Sequence, residues 1–216
     1  MNTPTLQVDH LVFVAPSLAE GLAWCEHRLG VTPGPGGRHA LMGTHNRLAR
    51  LATPAFPTAY LEIIAIDPEA APPARARWFG MDRPRDGVQL VHAVFSTTQL
   101  VDARHSYLAA GCDPGPGISA ERQTEHGPLR WTLTVRDDGA VLCGGALPTL
   151  IAWQGRHPTE RMADSGLALQ TLTLRGLPEA LLPMLRTAGV DAQTGGTPAL
   201  SARFSTPRGE VVLHSA

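Results

Sequence analysis

Apolar and polar positions follow the same order three times along the chain. Each repeat begins with a short run of β-forming residues, passes a turn that contains Ser, Thr, Gly or Pro, and continues with apolar residues at helical spacing up to a glycine. The three segments run from His10 to Gly30, from His92 to Gly111 and from Gln170 to Gly189. This pattern predicts a strand followed by a helix whose apolar side packs on a sheet.

Further strands are predicted after each helix, because β-rich runs are separated there by turn residues. These predicted strands cover residues 38–42, 44–52 and 60–66, then 117–123, 129–136 and 149–154, and finally 199–205 and 210–214. The class is therefore α+β, with two β-α-β-β-β modules and a third, shorter β-α-β-β unit. The predicted bounds are 6–68, 86–156 and 165–216. Residues 70–85 are predicted to link the first two units, with a short helical piece near Trp78.

Composition narrows the class of partner. The 216 residues carry 18 basic and 19 acidic side chains and a formal net charge of −1, so we expect neither a nucleic acid nor a membrane surface as partner. The three cysteines show no CxxC spacing, which argues against a disulfide framework or a cysteine-rich zinc site. The first residues lack a signal-peptide pattern, and no window approaches the length of a membrane span. We therefore expect a cytoplasmic protein whose partner is a small molecule or another protein.

One acidic residue interrupts the predicted strand AYLEIIAIDP. A buried carboxylate costs several kcal/mol unless a cation or hydrogen-bond donors replace its water. If Glu62 faced solvent, the period of two would also expose Tyr60, Ile64 and Ile66 on the same face. Exposure of three large apolar residues is unfavourable, so this face of the strand is predicted to line a cavity.

Three stretches in order, VDHLVFVAPSLAEGLAWCEHRLGV, GGRHALMGTHNRLARL and YLEIIAIDP, resemble the glyoxalase-like proteins of the vicinal-oxygen-chelate superfamily. The later segment STPRGEVVLH is similar to the closing hairpin of such modules. The resemblance implies that two β-α-β-β-β modules pair and that their curved mixed sheets enclose a cleft. It also implies a divalent metal ion between ligands from the first and last strands of the modules. It does not select a reaction, because isomerases, dioxygenases, thiol transferases, epimerases and metal-free binding proteins share this fold.

His10, Glu62 and His92 match the ligand positions of that superfamily. Imidazole and carboxylate together suit a divalent cation such as Zn, Ni, Fe, Co or Mn. The last strand of the second unit lacks an acid, and Ile151 or Ala152 is predicted to face the cleft there. Three protein ligands plus water still form a catalytic shell with an open coordination position.

The stretch GGRHALMGTHNRL supplies a second group of candidates. His39 and His45 flank a predicted hairpin turn, and His45 and Asn46 lie on opposite faces of the next strand, so only one of them can face the cleft. The resemblance includes the GTHN stretch and implies an acid-base or substrate-binding role. We therefore predict His45 as a catalytic proton donor and His39, Asn46 and Arg38 as substrate-binding residues. The alternative is a purely structural hairpin whose polar side chains satisfy the backbone.

The remaining candidates lack a partner at a suggestive spacing. His126, His157 and His214 are predicted to lie at the surface. Arg122 and Trp131 fall on predicted cleft-lining strands of the second unit, and Trp131 is interpreted as a core residue.

Three hypotheses about function remain open at this point. The first is a metal-dependent isomerase, lyase or dioxygenase that acts on a small oxygenated molecule, with Glu62 as a metal ligand or as a movable base. The second is a metal-free small-molecule binding or resistance protein that uses the same cleft. The third is a structural or regulatory homodimer whose cleft has degenerated and no longer serves catalysis or ligand binding.

Overall fold

The computed structural model of the chain describes residues 3–124 and 127–215. Two β-α-β-β-β modules come first, as predicted. The elements of the first module are β1 (Gln7–Val14), α1 (Leu18–Leu29), β2 (Arg38–His39), β3 (Thr44–Arg50) and β4 (Tyr60–Ile66). Those of the second module are β5 (Gln89–Ser96), α2 (Leu100–Ala109), β6 (Gly117–Thr124), β7 (Gly127–Thr134) and β8 (Thr149–Gln154). No helix in the described part of the chain is long and apolar enough to cross a membrane.

Helix α1 shows how local sequence sets an element's ends. The Ser17 hydroxyl accepts a hydrogen bond from the backbone N–H of Glu20 at 3.2 Å, which caps the first turn. Gly30 adopts φ 75° and donates its N–H to carbonyls of the last turn, a conformation that favours glycine. Cys25 and Leu29 are buried, so the helix packs this side on the sheet.

The two modules form one curved, eight-stranded mixed sheet. Its order is β2-β3-β4-β1-β5-β8-β7-β6, in which β1 and β5 meet antiparallel at the centre. Within each module the first strand pairs parallel with the last, β1 with β4 and β5 with β8. The sheet nearly closes into a barrel, because the two edge strands approach each other. A Cβ atom at Gly37, beside β2, would lie 2.7 Å from a guanidinium nitrogen of Arg122 on β6, so glycine permits this approach.

The third unit forms a separate sheet. It contains β9 (Ala168–Leu174), α3 (Leu182–Arg186), β10 (Asp191–Ala192), β11 (Leu200–Thr206) and β12 (Gly209–His214), one short strand more than predicted. The strand order is β10-β9-β11-β12, and β9 pairs parallel with β10 and antiparallel with β11. Its first strand therefore does not pair with its last, so the sequence repeat does not produce a third copy of the same module. Whether the three predicted units are separate domains stays a prediction.

The two faces of the large sheet belong to different apolar cores. The outer core joins Phe13 and Phe95 to α1, α2 and the third unit, where Phe204 lies 6.5 Å from the ring of Phe13. The inner core contains Val12 and Ile64 together with aromatic residues of the concave side. The third unit thus covers the outer face and leaves the concave face to the two modules.

The linker between the modules enters the concave side. A 3₁₀ turn at Trp78–Gly80 confirms the predicted helical piece, and it buries Trp78 and Phe79 in the inner core. The predicted strand at 38–42 is shorter than expected, since the chain leaves β2 after His39 and turns before Thr44.

Candidate functional site

A cavity of about 30 Å³ lies on the concave side, beneath the linker turn. A volume of this size holds one or two water molecules or one small polar group of a ligand. The polar residues that line it are His10, His39, Asn46, Glu62 and Arg122, and the aromatic residues are Tyr60, Trp78, Phe79, Trp131 and Trp153. The cavity therefore combines a few polar groups with apolar walls that restrict water.

Glu62 faces this cavity from β4, as the strand period predicts. The residue is 5% exposed. The Asn46 amide Nδ2 donates to Glu62 Oε1 at 2.6 Å, which fixes one carboxylate oxygen. The other oxygen, Oε2, is buried without a hydrogen-bond partner in the described residues and lies 3.5 Å from His10 Nε2. One oxygen of Glu62 is thus held in place while the second is left for another atom.

Asp9 belongs to the same site, although alternation along the strand would place it opposite His10. The pairing of β1 with β5 shifts register between Val8 and His10, so Asp9 is the extra residue of a β-bulge. Its Oδ1 accepts from His10 Nδ1 at 2.7 Å, and its Oδ2 accepts from Trp153 Nε1 at 2.8 Å and from His157 Nε2 at 3.0 Å. An aspartate next to a histidine in an otherwise apolar strand is the sequence signal that could have identified this residue.

The hydrogen bonds to Asp9 decide its charge. Burial by itself would raise the pKa of Asp9, but hydrogen bonds and charge attraction from His10 and His157 outweigh burial and hold that pKa well below its ordinary value. Because Asp9 is ionised, Nδ1 of His10 carries a proton and donates it to Asp9. Nε2 of His10 lies 3.5 Å from Glu62 Oε2, so a proton on this nitrogen would face the carboxylate oxygen.

The prediction that His157 lies free at the surface is wrong. Its Nε2 donates to Asp9, and its Nδ1 lies 2.7 Å from the hydroxyl of Thr159. The backbone turn at Pro158–Arg161 brings His157 back to β1, which no spacing in the sequence reveals. His214 is exposed and lies beside Ser201, in line with the prediction, and His126 is outside the described residues.

The hairpin places Asn46 and His39 at the site. His39 is buried between Thr44, whose hydroxyl lies 3.0 Å from Nδ1, and the Asn46 amide, 3.4 Å from Nε2. Burial, and then the positive charge of Arg122, lower the pKa of His39 to about 3, so its ring is neutral. The single amide of Asn46 thus connects His39 to Glu62.

His45 and Arg38 lie elsewhere. Since Asn46 faces the cavity, His45 faces the opposite side of β3, where its Nδ1 is 3.9 Å from Asp67 Oδ1. The Arg38 side chain is 62% exposed and pairs with Glu69 and Asp67. Neither His45 nor Arg38 lines the cavity among the described residues. The structure therefore does not bring the predicted proton donor, or this predicted substrate-binding arginine, to Glu62.

His92 is buried in a second cavity. Its Nδ1 donates to the carbonyl of Gly145 at 2.8 Å, and its Nε2 accepts from the backbone N–H of Thr149 at 3.0 Å and lies 2.9 Å from the Thr149 hydroxyl. Burial lowers the pKa of His92 to about 4. Among the described residues, the two cavities share only Trp78 and Phe79, and the ring of Phe79 lies 5.6 Å from that of His92.

The sheet register identifies the counterpart of Glu62 in the second module. Glu62 pairs with Val12, two residues after His10, and Thr149 pairs with Val94, two residues after His92. Ile151 lines the main cavity as predicted, but Thr149 occupies the position equivalent to Glu62.

The three predicted metal ligands do not form one ligand shell in this arrangement. His10 Nε2 and Glu62 Oε2 lie 3.5 Å apart, and Oε2 has no hydrogen-bond partner in the described residues, so these two side chains fit a shared cation. His92 does not fit, because both of its ring nitrogens are engaged by Gly145 and Thr149. Across residues 3–124 and 127–215, no group of three or more His, Cys, Asp or Glu side chains has a metal-binding arrangement.

Comparison with known proteins gives a family and a fold. Residues 8–189 match the family described as a glyoxalase-like domain. No curated protein gives a significant sequence match. Among solved structures, a hypothetical protein from Staphylococcus aureus superposes with a TM-score of 0.57 at 13% identity, covering 97% of this chain and 85% of that chain. At this identity the similarity shows the fold alone.

Methylmalonyl-CoA epimerases are more distant in structure. A variant of the Streptomyces coelicolor enzyme in complex with 2-nitronate-propionyl-CoA gives a TM-score of 0.45 at 18% identity, covering 71% of this chain and 98% of that chain. The Mycobacterium tuberculosis enzyme gives 0.41 at 16% identity, with 71% and 91% covered. Scores this low carry no argument about chemistry.

Proposed function

Because the chain belongs to the glyoxalase-like domain family, within the vicinal-oxygen-chelate superfamily, we propose a function in its cavity: proton transfer at a carbon atom next to a carbonyl group of a small molecule. Glu62 is the base. The observation that carries this proposal is the buried Glu62 Oε2, which has no hydrogen-bond partner in the described residues. An unsatisfied buried acceptor costs about 1–3 kcal/mol, so a site that keeps one is expected to use it.

The surroundings of Glu62 support a base with a fixed direction. Asn46 holds Oε1, so Oε2 is the oxygen available to a substrate. The C–H bond of the substrate breaks, its proton forms an O–H bond with Oε2, and the electron pair moves onto the carbonyl oxygen as an enolate. Return of the proton to the same carbon gives epimerisation or exchange, and return to a neighbouring atom gives isomerisation. Positioned acid-base groups of this kind contribute typically about 10²–10⁴ in rate.

Behind Glu62, the Asp9–His10 pair supports the proton transfer. His10 Nε2 lies 3.5 Å from Oε2, within reach of a proton that Glu62 takes from the substrate. When His10 accepts that proton, its positive charge lies beside the ionised Asp9, 2.7 Å away. His10 thus connects Glu62 to Asp9, and transfer of the proton to His10 Nε2 returns Glu62 to its basic form.

A metal ion is the alternative source of enolate stabilisation. Members of the superfamily commonly use a divalent metal, which polarises a substrate oxygen as a Lewis acid. The predicted three-ligand shell of His10, Glu62 and His92 is not supported by the hydrogen bonds of His92. No step of the proposal therefore passes through a metal ion.

A small-molecule binding protein is the second candidate. The observation that favours it is an open groove of about 360 Å³ beside the cavity, which shares His39, Trp78 and Trp131 with it. A ligand could bind in this groove without undergoing a reaction. The predicted homodimer stays a prediction.

Hydrogen–deuterium exchange separates the two candidates. Carbonyl compounds with acidic C–H bonds, including pyruvate, 2-oxobutyrate and phenylpyruvate, are incubated with the protein in D₂O, and NMR follows the protons next to the carbonyl. We expect the wild type to accelerate exchange and Glu62→Gln to reduce the rate by about 10²–10⁴. Glu69→Gln removes an exposed carboxylate outside the cavity and serves as the matched control. If compounds bind without exchange, or if Glu62→Gln and wild type exchange at equal rates, the enzyme hypothesis is rejected in favour of the binding protein.

A further inference from the structure

Arg122 is a cation in the main cavity that has no ion-pair partner among the described residues. It lies half-buried on β6 and lines the cavity wall. Its guanidinium makes no hydrogen bond or ion pair with another residue in the part of the chain that the structure describes. Arg130 on the neighbouring strand, in contrast, donates to Glu121 at 3.0 Å. A guanidinium offers five N–H donors in a planar fork that matches the two oxygens of a carboxylate.

A second unsatisfied donor belongs to Trp78, which lines the main cavity, the groove beside it and the cavity of His92. Trp78 is 4% exposed, lines the cavity, and its Nε1 is buried without a hydrogen-bond partner in the described residues. An indole N–H can only donate. Trp153, which lines the same cavity, donates its indole N–H to Asp9. The donor of Trp78 is therefore left for a ligand that brings an acceptor oxygen.

These two donors and the free oxygen of Glu62 describe a complementary molecule. We infer that the ligand of this cavity is a small carboxylic acid, whose carboxylate binds Arg122 and the Trp78 indole N–H. The aromatic walls formed by Phe79 and Trp131 fit a planar or unsaturated remainder. The positive charge of Arg122 offsets the negative charges of Asp9 and Glu62, which would otherwise repel such an anion.

The inference deepens the proposed function and rests on it only for the orientation of the ligand. The proposed function requires the carbon that bears the acidic hydrogen to face Glu62 while the carboxylate binds Arg122. The groove beside the cavity continues outward past Leu41, an exposed apolar residue, and offers room for the part of the acid that the inner cavity does not hold.

Matched acids and amides test the inference. Calorimetric titration compares benzoate with benzamide and phenylacetate with phenylacetamide, so that only the carboxylate differs within each pair. Hydrogen bonds to a charged group contribute about 1.5–3 kcal/mol, so we expect wild type to bind each acid at least about tenfold more tightly than its amide. Arg122→Gln is expected to lose this preference, and Trp78→Phe to lose part of it while keeping the aromatic wall. Arg203→Gln, which removes a strand arginine that pairs with Glu210 in the second sheet, should keep it.

The outcomes distinguish this inference from the proposed function. A preference for acids that disappears in Arg122→Gln supports the inference, whatever the exchange assay gives. Equal binding of acids and amides, or no binding of either, overturns it. If exchange depends on Glu62 while acids and amides bind equally, the proposed function stands and the inference fails. If acids are preferred and no carbonyl compound exchanges, the proposed function fails and the inference stands. Circular dichroism of Arg122→Gln confirms that the variant is folded.

Discussion

His10 and His92 occupy equivalent positions in the two modules, yet their surroundings differ. The residue before each histidine is the extra residue of a β-bulge: Asp9 in β1 and Val91 in β5. The bulges turn these residues toward the concave side, where Asp9 binds His10 and Val91 joins the apolar core. Both modules thus have a β-bulge at the equivalent position, and the bulged residue is polar only in the first module.

The partner across the sheet differs in the same way. His10 faces Glu62, which leaves one carboxylate oxygen unsatisfied, whereas His92 faces Thr149, which satisfies the ring nitrogen. One module keeps a polar group available to a ligand, and the other uses its polar groups to hold the chain together. A histidine at a repeat position is therefore not evidence of ligation until its hydrogen bonds are known.

The largest expected effect is the difference between two matched substitutions, His10→Asn and His92→Asn. Asparagine keeps a donor near the position of Nδ1 and removes Nε2 in both cases. In His10→Asn we expect the exchange rate to fall by about 10²-fold or more, because Glu62 loses its proton acceptor. In His92→Asn the exchange rate should be unchanged, while the free energy of unfolding falls by about 1–3 kcal/mol. Equal losses of rate in both variants would contradict the asymmetry between the modules.

Acid should destabilise the fold through its buried neutral histidines. The folded protein keeps His92 unprotonated down to a pKa of about 4, but the unfolded chain binds the proton below about 6.5. The unfolded state therefore binds more protons between these values, so stability is complete above pH 6.5 and is lost as the pH falls toward 4. We expect a loss of about 3 kcal/mol for such a histidine. Asp9 adds a loss only below its ordinary pKa of 3.8.

Urea unfolding between pH 7 and 4 measures this effect. His92→Asn should flatten the pH dependence of the free energy of unfolding, and His105→Gln, which changes an exposed histidine on α2, should not. Identical slopes for wild type and His92→Asn would mean that His92 titrates normally in the folded protein.

Thr149→Val tests whether the hydrogen-bond partner of His92 serves stability or chemistry. Valine removes the hydroxyl but keeps the backbone N–H that donates to His92 Nε2. We expect the free energy of unfolding to fall by about 1 kcal/mol, with Thr149→Ser close to wild type and the exchange rate unchanged. A loss of exchange in Thr149→Val would show that the second module contributes to the chemistry.

The smallest expected effect concerns metal. Elemental analysis of protein purified without an affinity metal column should give the same metal content for wild type and His92→Asn, because His92 has no free ring nitrogen. Loss of metal in His92→Asn alone would restore the three-ligand site that the sequence predicts, and would require the His92 ring to leave Gly145 and Thr149.

Strand prediction succeeded where patterns were uninterrupted. Strands β4 and β8 have the predicted bounds, and Tyr60 and Ile64 are buried on the face of Glu62 as predicted, whereas Ile66 at the end of the strand is 40% exposed. The role of Asp9 was missed because a single inserted residue reverses the alternation on which the prediction depends. His157 was misplaced because only the turn after β8 brings it to Asp9.

The sequence by itself determined the order of strands and helices and the presence of a carboxylate on a buried face, because these depend on local periodicity and on the cost of burying charge. The pairing of the two modules followed only from the resemblance to the vicinal-oxygen-chelate superfamily. Tertiary structure alone decided which polar groups meet. Packing between distant segments sets three features of the site. These are the bulge at Asp9, the register that pairs Thr149 with Val94, and the linker turn that inserts Trp78 and Phe79. Hydrogen bonds require positions correct to a fraction of an ångström, and only the assembled sheet fixes positions that finely.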